Sequence, residues 1–259
     1  MDRRQLLAGL SASVLMSAEN NPERASTFLE VRFWRLHNTP ESQSPRVANY
    51  LQNGLAPALS RAGAKLAGAF STVIGPEAPT LMILTQYPSL GAMQEALAKI
   101  KADAEHARAL EKLGQGQGLP FVRVESSLLR SFDAMPQPAV VSGGATSKPR
   151  IFELRTYESQ SFSTLARKVQ MFNGGEVQIF ERLGFRPVFF GETIVGPKQP
   201  NLMYMLSYDD LAAHDRLWQA FGSDPEWKKL STQAGLSDAD IVANISNMIL
   251  SPLAFSEIR

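Results

Sequence analysis

The chain has 259 residues, and its 26 Lys plus Arg nearly cancel 25 Asp plus Glu, so the formal net charge is +1 and nothing favours a polyanion; nucleic acid is not an expected partner. Apolar residues make up 44% and charged residues 20%, a composition that can bury a core. The absence of cysteine excludes disulfides, thiolate metal sites and a cysteine nucleophile.

In chain order, the first feature is Arg3-Arg4 directly before the weakly apolar stretch Leu6 to Met16, which is too short to span a bilayer. Paired arginines, a short segment rich in Ala, Ser and Gly, and then polar Glu19-Asn20-Asn21-Pro22 resemble a twin-arginine export signal over residues 1–26. The expected location is periplasmic or otherwise exported, with the cytoplasm as the alternative. Without cysteine there is no lipoprotein anchor, and no stable membrane anchor is expected.

From residue 27 onward the chain repeats itself. A shift of 121 residues lays Ile74-Gly75-Pro76 over Val195-Gly196-Pro197, Leu81-Met82 over Leu202-Met203, Tyr87 over Tyr208 and Asp103 over Asp224. Between residues 63 and 131 this gives 14 identities in 69 ungapped positions, against about 4 expected by chance for ordinary composition. With a two-residue slip, Leu29-Glu30-Val31-Arg32-Phe33-Trp34 overlies Phe152-Glu153-Leu154-Arg155-Thr156-Tyr157. The units are residues 27–134 and 150–259. Residues 135–149, with three prolines and Gly143-Gly144, read as a linker. Late in the first unit, Gly114-Gln115-Gly116-Gln117-Gly118 follows a helix where a phosphate cradle would open one, so it reads as a loop.

In the second unit Ile151 to Tyr157 alternates as a strand, and Phe162 to Leu183 has helical spacing, with Gly174-Gly175 as a candidate bend and Gly184 as its C-terminal cap. Val188 to Val195 and Leu202 to Tyr208 form a hairpin. Asp209 or Asp210 caps a helix carrying Leu211, His214, Leu217, Trp218 and Phe221 on one face, Asp224-Pro225 restarts a short helix, and Ile241 to Leu250 reads as the last strand. The order β-α-β-β-α-β defines a ferredoxin-like α+β unit. Its helices cover one face of the sheet, and two units in one chain can pack sheet to sheet as a pseudo-dimeric α/β barrel. The expected state is a monomer with this internal pairing, or a homodimer.

Glu153-Leu154-Arg155-Thr156-Tyr157, Phe180-Glu181-Arg182-Leu183-Gly184-Phe185, Gly191-Glu192-Thr193, Trp218-Gln219-Ala220-Phe221 and Asp224-Pro225-Glu226-Trp227 together resemble the NIPSNAP family. The first unit looks like a diverged copy that keeps Glu30, Arg32 and Gly75-Pro76, with Ser71 at the place of Glu192 and His106 at that of Trp227. The resemblance implies a dimeric α/β-barrel fold and no established enzymatic activity. The roles in vesicle traffic and mitochondrial quality control attached to the family in eukaryotes are not expected to transfer to a chain whose N-terminus resembles a bacterial export signal.

Alternation in the first strands places Glu153, Arg155 and Tyr157 on one face and Phe152 and Leu154 on the other; Glu30, Arg32 and Trp34 repeat the pattern. The charged face is expected to line the barrel. The simplest role for Glu30–Arg32 and Glu153–Arg155 is mutual pairing that fixes register. The functional reading is a small polar or anionic ligand, or a protein partner, at the lumen or its rim, with Glu153, Arg155, Tyr157, Glu192, Tyr208, Glu30, Arg32 and Trp34 as candidates, because the planar arginine fork suits a carboxylate. The alternative is a cofactor-independent oxygenase or isomerase acting on a small organic substrate. No catalytic residue is assigned. Trp218, Phe221 and Trp227 read as packing residues, and so does His214. The three histidines, His37, His106 and His214, have no metal or haem spacing, so neither metal nor cofactor is expected.

Overall fold

The protein is described by a computed structural model over residues 27–39, 41–140 and 150–259; the expected export segment and residues 141–149 of the expected linker lie outside the described residues. The first unit runs β1 (Phe28–Arg35), α1 (Ser44–Tyr50), a π-helical turn (Leu51–Leu55), α2 (Ala56–Ala62), β2 (Lys65–Ile74), β3 (Thr80–Tyr87), α3 (Leu90–Ala102), α4 (Ala104–Gly114) and β4 (Arg123–Ser131). The second runs β5 (Ile151–Glu158), α5 (Phe162–Met171), a π-helical turn (Phe172–Glu176), α6 (Val177–Arg182), β6 (Arg186–Val195), β7 (Asn201–Tyr208), α7 (Leu211–Ser223), α8 (Pro225–Ser231), α9 (Asp238–Ile241) and β8 (Asn244–Pro252). One difference from the sequence reading stands out. Ile241, read as the start of the last strand, is instead the last residue of α9, and β8 begins only at Asn244. The bend expected at Gly174-Gly175 in the helix over 162–183 is present, as a π-helical turn with non-helical backbone at Gly175.

Local chemistry accounts for the helix starts. Ser161 and Thr164 form a reciprocal capping box at α5. Asp210, not Asp209, caps α7 by accepting from the Ala213 amide, and Asp224 caps α8 by accepting from Glu226 and Trp227 with Pro225 in the first turn. Ser161→Ala is expected to cost about 1 kcal/mol, the usual loss for an N-cap hydroxyl, read as a lower denaturation midpoint at unchanged slope.

All eight strands close into one antiparallel barrel in the order β1-β3-β2-β8-β5-β7-β6-β4. The units meet at β2–β8 and β4–β6, and both seams carry the same register shift, between Thr72 and Ile74 in one and between Leu128 and Leu129 in the other. The duplicated Gly-Pro turn has its reason at these seams. A Cβ on Gly75 would lie 2.7 Å from Met248 Cβ, and one on Gly196 would lie 2.8 Å from Ser127 Oγ, so each glycine lets one unit's hairpin close on the other unit's last strand.

The lumen is an apolar core built by both units, with Leu29, Val31, Phe33, Phe70 and Met82 from the first meeting Phe152, Leu154, Phe189, Met203 and Met205 from the second. Phe70 and Phe152 lie 5.0 Å apart across it. Burying each such side chain contributes about 1.5–3 kcal/mol. Two further cores lie between the sheets and the helices, one in each unit.

Candidate functional site between the second sheet and its helices

Glu153, Arg155 and Tyr157 on β5, and Glu30, Arg32 and Trp34 on β1, do not line the barrel. Their alternate neighbours Phe152, Leu154, Leu29, Val31 and Phe33 do, while Trp34 and Tyr157 belong to the helix-covered cores. This reverses the expectation from the sequence. Alternation identifies two faces but not which one is driest. An eight-stranded lumen is filled by side chains alone, whereas the layer under the helices can supply the partners that a buried charge requires.

In the first unit the charged pair is closed on itself. Arg32 donates from Nε and Nη2 to Glu30 Oε1 at 3.0 and 2.7 Å, and Ser126 and Tyr87 donate to the same carboxylate at 2.8 and 3.2 Å. Trp34 packs edge-on against Tyr50 and Phe121. Burial pushes the Tyr50 phenol up to about 12, with Arg32 opposing, and its hydroxyl lies 2.9 Å from His106 Nε2.

The second unit is built differently. Glu153 is fully buried. It accepts from Arg155 Nη1 at 2.6 Å, Asn247 Nδ2 at 2.9 Å, Tyr208 at 3.0 Å and Trp218 Nε1 at 3.2 Å, and His214 Nε2 stands 3.4 Å away. Burial alone would raise this carboxyl, but Arg155, Asn247 and His214 hold it below the usual carboxylate value. The Arg155 guanidinium stacks 4.4 Å over Trp218 and donates from Nη2 to the Tyr157 hydroxyl at 3.3 Å. Tyr204 also donates to Tyr157, at 2.8 Å. Burial raises the phenols of Tyr157, Tyr204 and Tyr208, so all three are O–H donors at neutral pH. Both bonds at Tyr157 are accepted by its oxygen, and Arg155 Nε is buried with no hydrogen-bond partner.

Beside Tyr157 sits a second charged pair. Lys168 on α5 and Glu176 in the π-helical turn are both buried, with Nζ 3.1 Å from Oε2 and 3.5 Å from Asp238 Oδ1. The ammonium is enclosed by the rings of Phe172, Trp227 and Tyr157 at 5.0, 5.3 and 5.7 Å. Burial opposes its charge, but Glu176 and Asp238 outweigh this and its pKa is raised; burial likewise raises Glu176, with Lys168 opposing.

Of the candidates, Glu153, Arg155, Tyr157 and Tyr208 are brought together, and Glu30, Arg32 and Trp34 form the matching layer of the other unit. Glu192 is half-buried on β6 opposite Leu202 and Arg130, and its side chain makes no hydrogen bond or ion pair among the described residues. His214 and Trp218 join the network, beyond the packing roles expected of them. Lys168, Glu176, Tyr204 and Asn247 were missed. The signal for three of these was the repeat itself: Lys168 falls on Val47, Glu176 on Leu55 and Tyr204 on Ile83, polar positions where the other copy is apolar. Among the described residues no group of side chains is arranged to hold a metal ion, and no helix is long and apolar enough to cross a membrane.

Two ferredoxin-like units closing one eight-stranded barrel, each with a Glu–Arg pair under its helices, define a tandem member of the dimeric α/β-barrel class. The NIPSNAP family model matches residues 30–133 and again 152–257, and the chain belongs to that family. Among solved structures, it is similar to a protein from Lactobacillus acidophilus provisionally assigned as a monooxygenase (9% identity, 88% of this chain and 94% of that one, TM-score 0.56). A second such protein, from Fusobacterium nucleatum, is 12% identical over 88% of this chain and 93% of its own, also at TM-score 0.56. An uncharacterised NIPSNAP-like domain protein from Burkholderia xenovorans is 24% identical over 41% of this chain and 88% of its own, at TM-score 0.37. No curated protein matches the chain. The first two likenesses concern the fold alone.

Proposed function

We infer that this is an exported NIPSNAP-domain protein whose second unit binds a small organic anion between its sheet and helices, with Arg155 as the anchor. One observation carries the reading: the two copies use the same arginine differently. Arg32 spends both Nε and Nη2 on Glu30. Arg155 spends only Nη1 on Glu153 and keeps a buried Nε without a partner, beside a tyrosine whose oxygen accepts both of its bonds. Two adjacent donors that lack acceptors suit a carboxylate. Trp218 supplies a flat wall, and the Arg155 side chain as a whole keeps 14% of its surface exposed.

The corresponding experiment is native mass spectrometry of the protein purified from its own host, followed by thermal-shift titration with a panel of small carboxylates. A bound mass, or a concentration-dependent rise in melting temperature that Arg155→Lys abolishes and Arg32→Lys leaves intact, is the expected result. A spectrum at the protein mass alone, together with no shift from any carboxylate, overturns it. Export is tested separately, by whether the mature protein isolated from the host lacks residues 1–26.

A second reading is a cofactor-independent oxygenase or isomerase. It is favoured by the likeness of fold to proteins provisionally assigned as monooxygenases. Since apolar side chains fill the lumen, such chemistry would have to use the same layer around Arg155. Turnover of a substrate that is lost in Arg155→Lys would establish it.

A further inference from the structure

The glycine-rich loop after α4 and a cavity in the first unit remain unexplained by the Arg155 site. The cavity, about 400 Å³, lies between α1 with its π-helical turn and the end of α4. Arg46 and Lys112 line it with the amides of Asn49 and Asn53, Tyr50 and Leu113 form apolar wall, and no Asp or Glu is among the lining residues. The second unit has a counterpart of about 420 Å³ at its own π-helical turn, but there Lys229 is accompanied by Glu226. Of these two cavities, the first-unit one is lined by two cations and no acid.

The loop presets that charge. Arg46 donates from Nε to the Leu113 carbonyl at 2.9 Å, and from Nη1 to the carbonyls of Gln117 and Gly118 at 3.3 Å each. Gly116 and Gly118 have φ of +113° and +66°, backbone that favours glycine and turns the loop back onto the guanidinium. The loop therefore does not cradle an anion with its amides; its carbonyls hold the arginine instead. Nη2 is buried and has no hydrogen-bond partner, and Lys112 makes no ion pair among the described residues. At the equivalent places of the second unit stand Arg167, with a single bond to the Gly235 carbonyl, and Gln233 in place of Lys112.

We propose that this first-unit cavity is a second binding site, for a small organic acid with a carboxylate or phosphate head on an apolar body. The head lies between Lys112 and Arg46, and the body lies on Tyr50 and Leu113. The site is independent of the one at Arg155.

The test uses the full chain, isotope-labelled, and three probes followed by amide chemical-shift titration: benzoate, phenyl phosphate and neutral benzamide. Benzoate, phenyl phosphate or both should move the amides of Asn53, Gly54, Leu113 and Gln115 saturably, and whichever binds more tightly identifies the head. Lys112→Gln, which installs the second unit's own residue at an exposed position, should weaken that anion about tenfold or more while the rest of the spectrum stays native. Arg155→Lys should leave these shifts unchanged. The proposal is overturned if neither anion moves these amides, if Lys112→Gln binds the anion as wild type does, if benzamide binds equally well, or if Arg155→Lys removes the shifts.

Discussion

Replacing Glu153 with alanine is expected to destabilise the protein by about 3–5 kcal/mol, the usual result of stripping one member from a buried ion pair. Four donors converge on this carboxylate, from Arg155, Asn247, Tyr208 and Trp218, and they would lose their acceptor together. Chemical denaturation of wild type and variant at pH 7 measures the loss. The sign with pH follows from the depressed pKa. A carboxyl held below its ordinary value of 4.5 contributes stability that is present above that value and disappears as the pH falls through the folded-state value. Wild type should therefore lose stability on acidification below about pH 4.5, and Glu153→Gln, which cannot titrate, should lose less over the same interval. Equal acid limbs for the two proteins would show that Glu153 does not carry this dependence.

The second large effect concerns Lys168 and Glu176, for which the protein contains its own control. The first unit folds with Val47 and Leu55, both buried, at the equivalent positions. Lys168→Val alone should cost about 3–5 kcal/mol, because Glu176 is left buried without its cation. Lys168→Val with Glu176→Leu should recover most of that loss, since a buried pair exchanged for packed apolar groups is commonly neutral or better. The pH dependence of the single variant runs opposite to that of Glu153. Burial raises the Glu176 carboxyl, so its ionisation is a cost that grows as the pH rises through the folded-state value; the deficit of Lys168→Val should be smaller at pH 5 than at pH 7. If the double variant stayed as unstable as the single one, the pair would be required for this packing, and the analogy with Val47 and Leu55 would fail.

That control also bears on function. The first unit closes its sheet over Val47, Leu55 and Ile83 at the places of Lys168, Glu176 and Tyr204. Burying charge is a poor route to stability, so the polar layer of the second unit is in keeping with the binding role proposed for it.

The pattern Leu29-Glu30-Val31-Arg32-Phe33-Trp34, its echo at Phe152 to Tyr157, and the unbroken shift of 121 residues determined by themselves that two ferredoxin-like units are present and that their bare sheets need covering. Strand alternation is local and survives any packing, which is why the order of elements and the existence of a charged face could be read directly. The orientation of that face could not. Whether Glu153 and Arg155 point into a barrel or under helices depends on which layer supplies Tyr208, Trp218 and Asn247, residues 53 to 94 positions away in the chain. Tertiary structure alone decided this, by filling the lumen with apolar side chains from both copies and leaving the hydrogen-bonding partners on the other side. The same physics hid Lys168 and Glu176: eight residues apart on an interrupted helix, they read as ordinary polar positions until the bend at Gly174-Gly175 turned one toward the other inside the core.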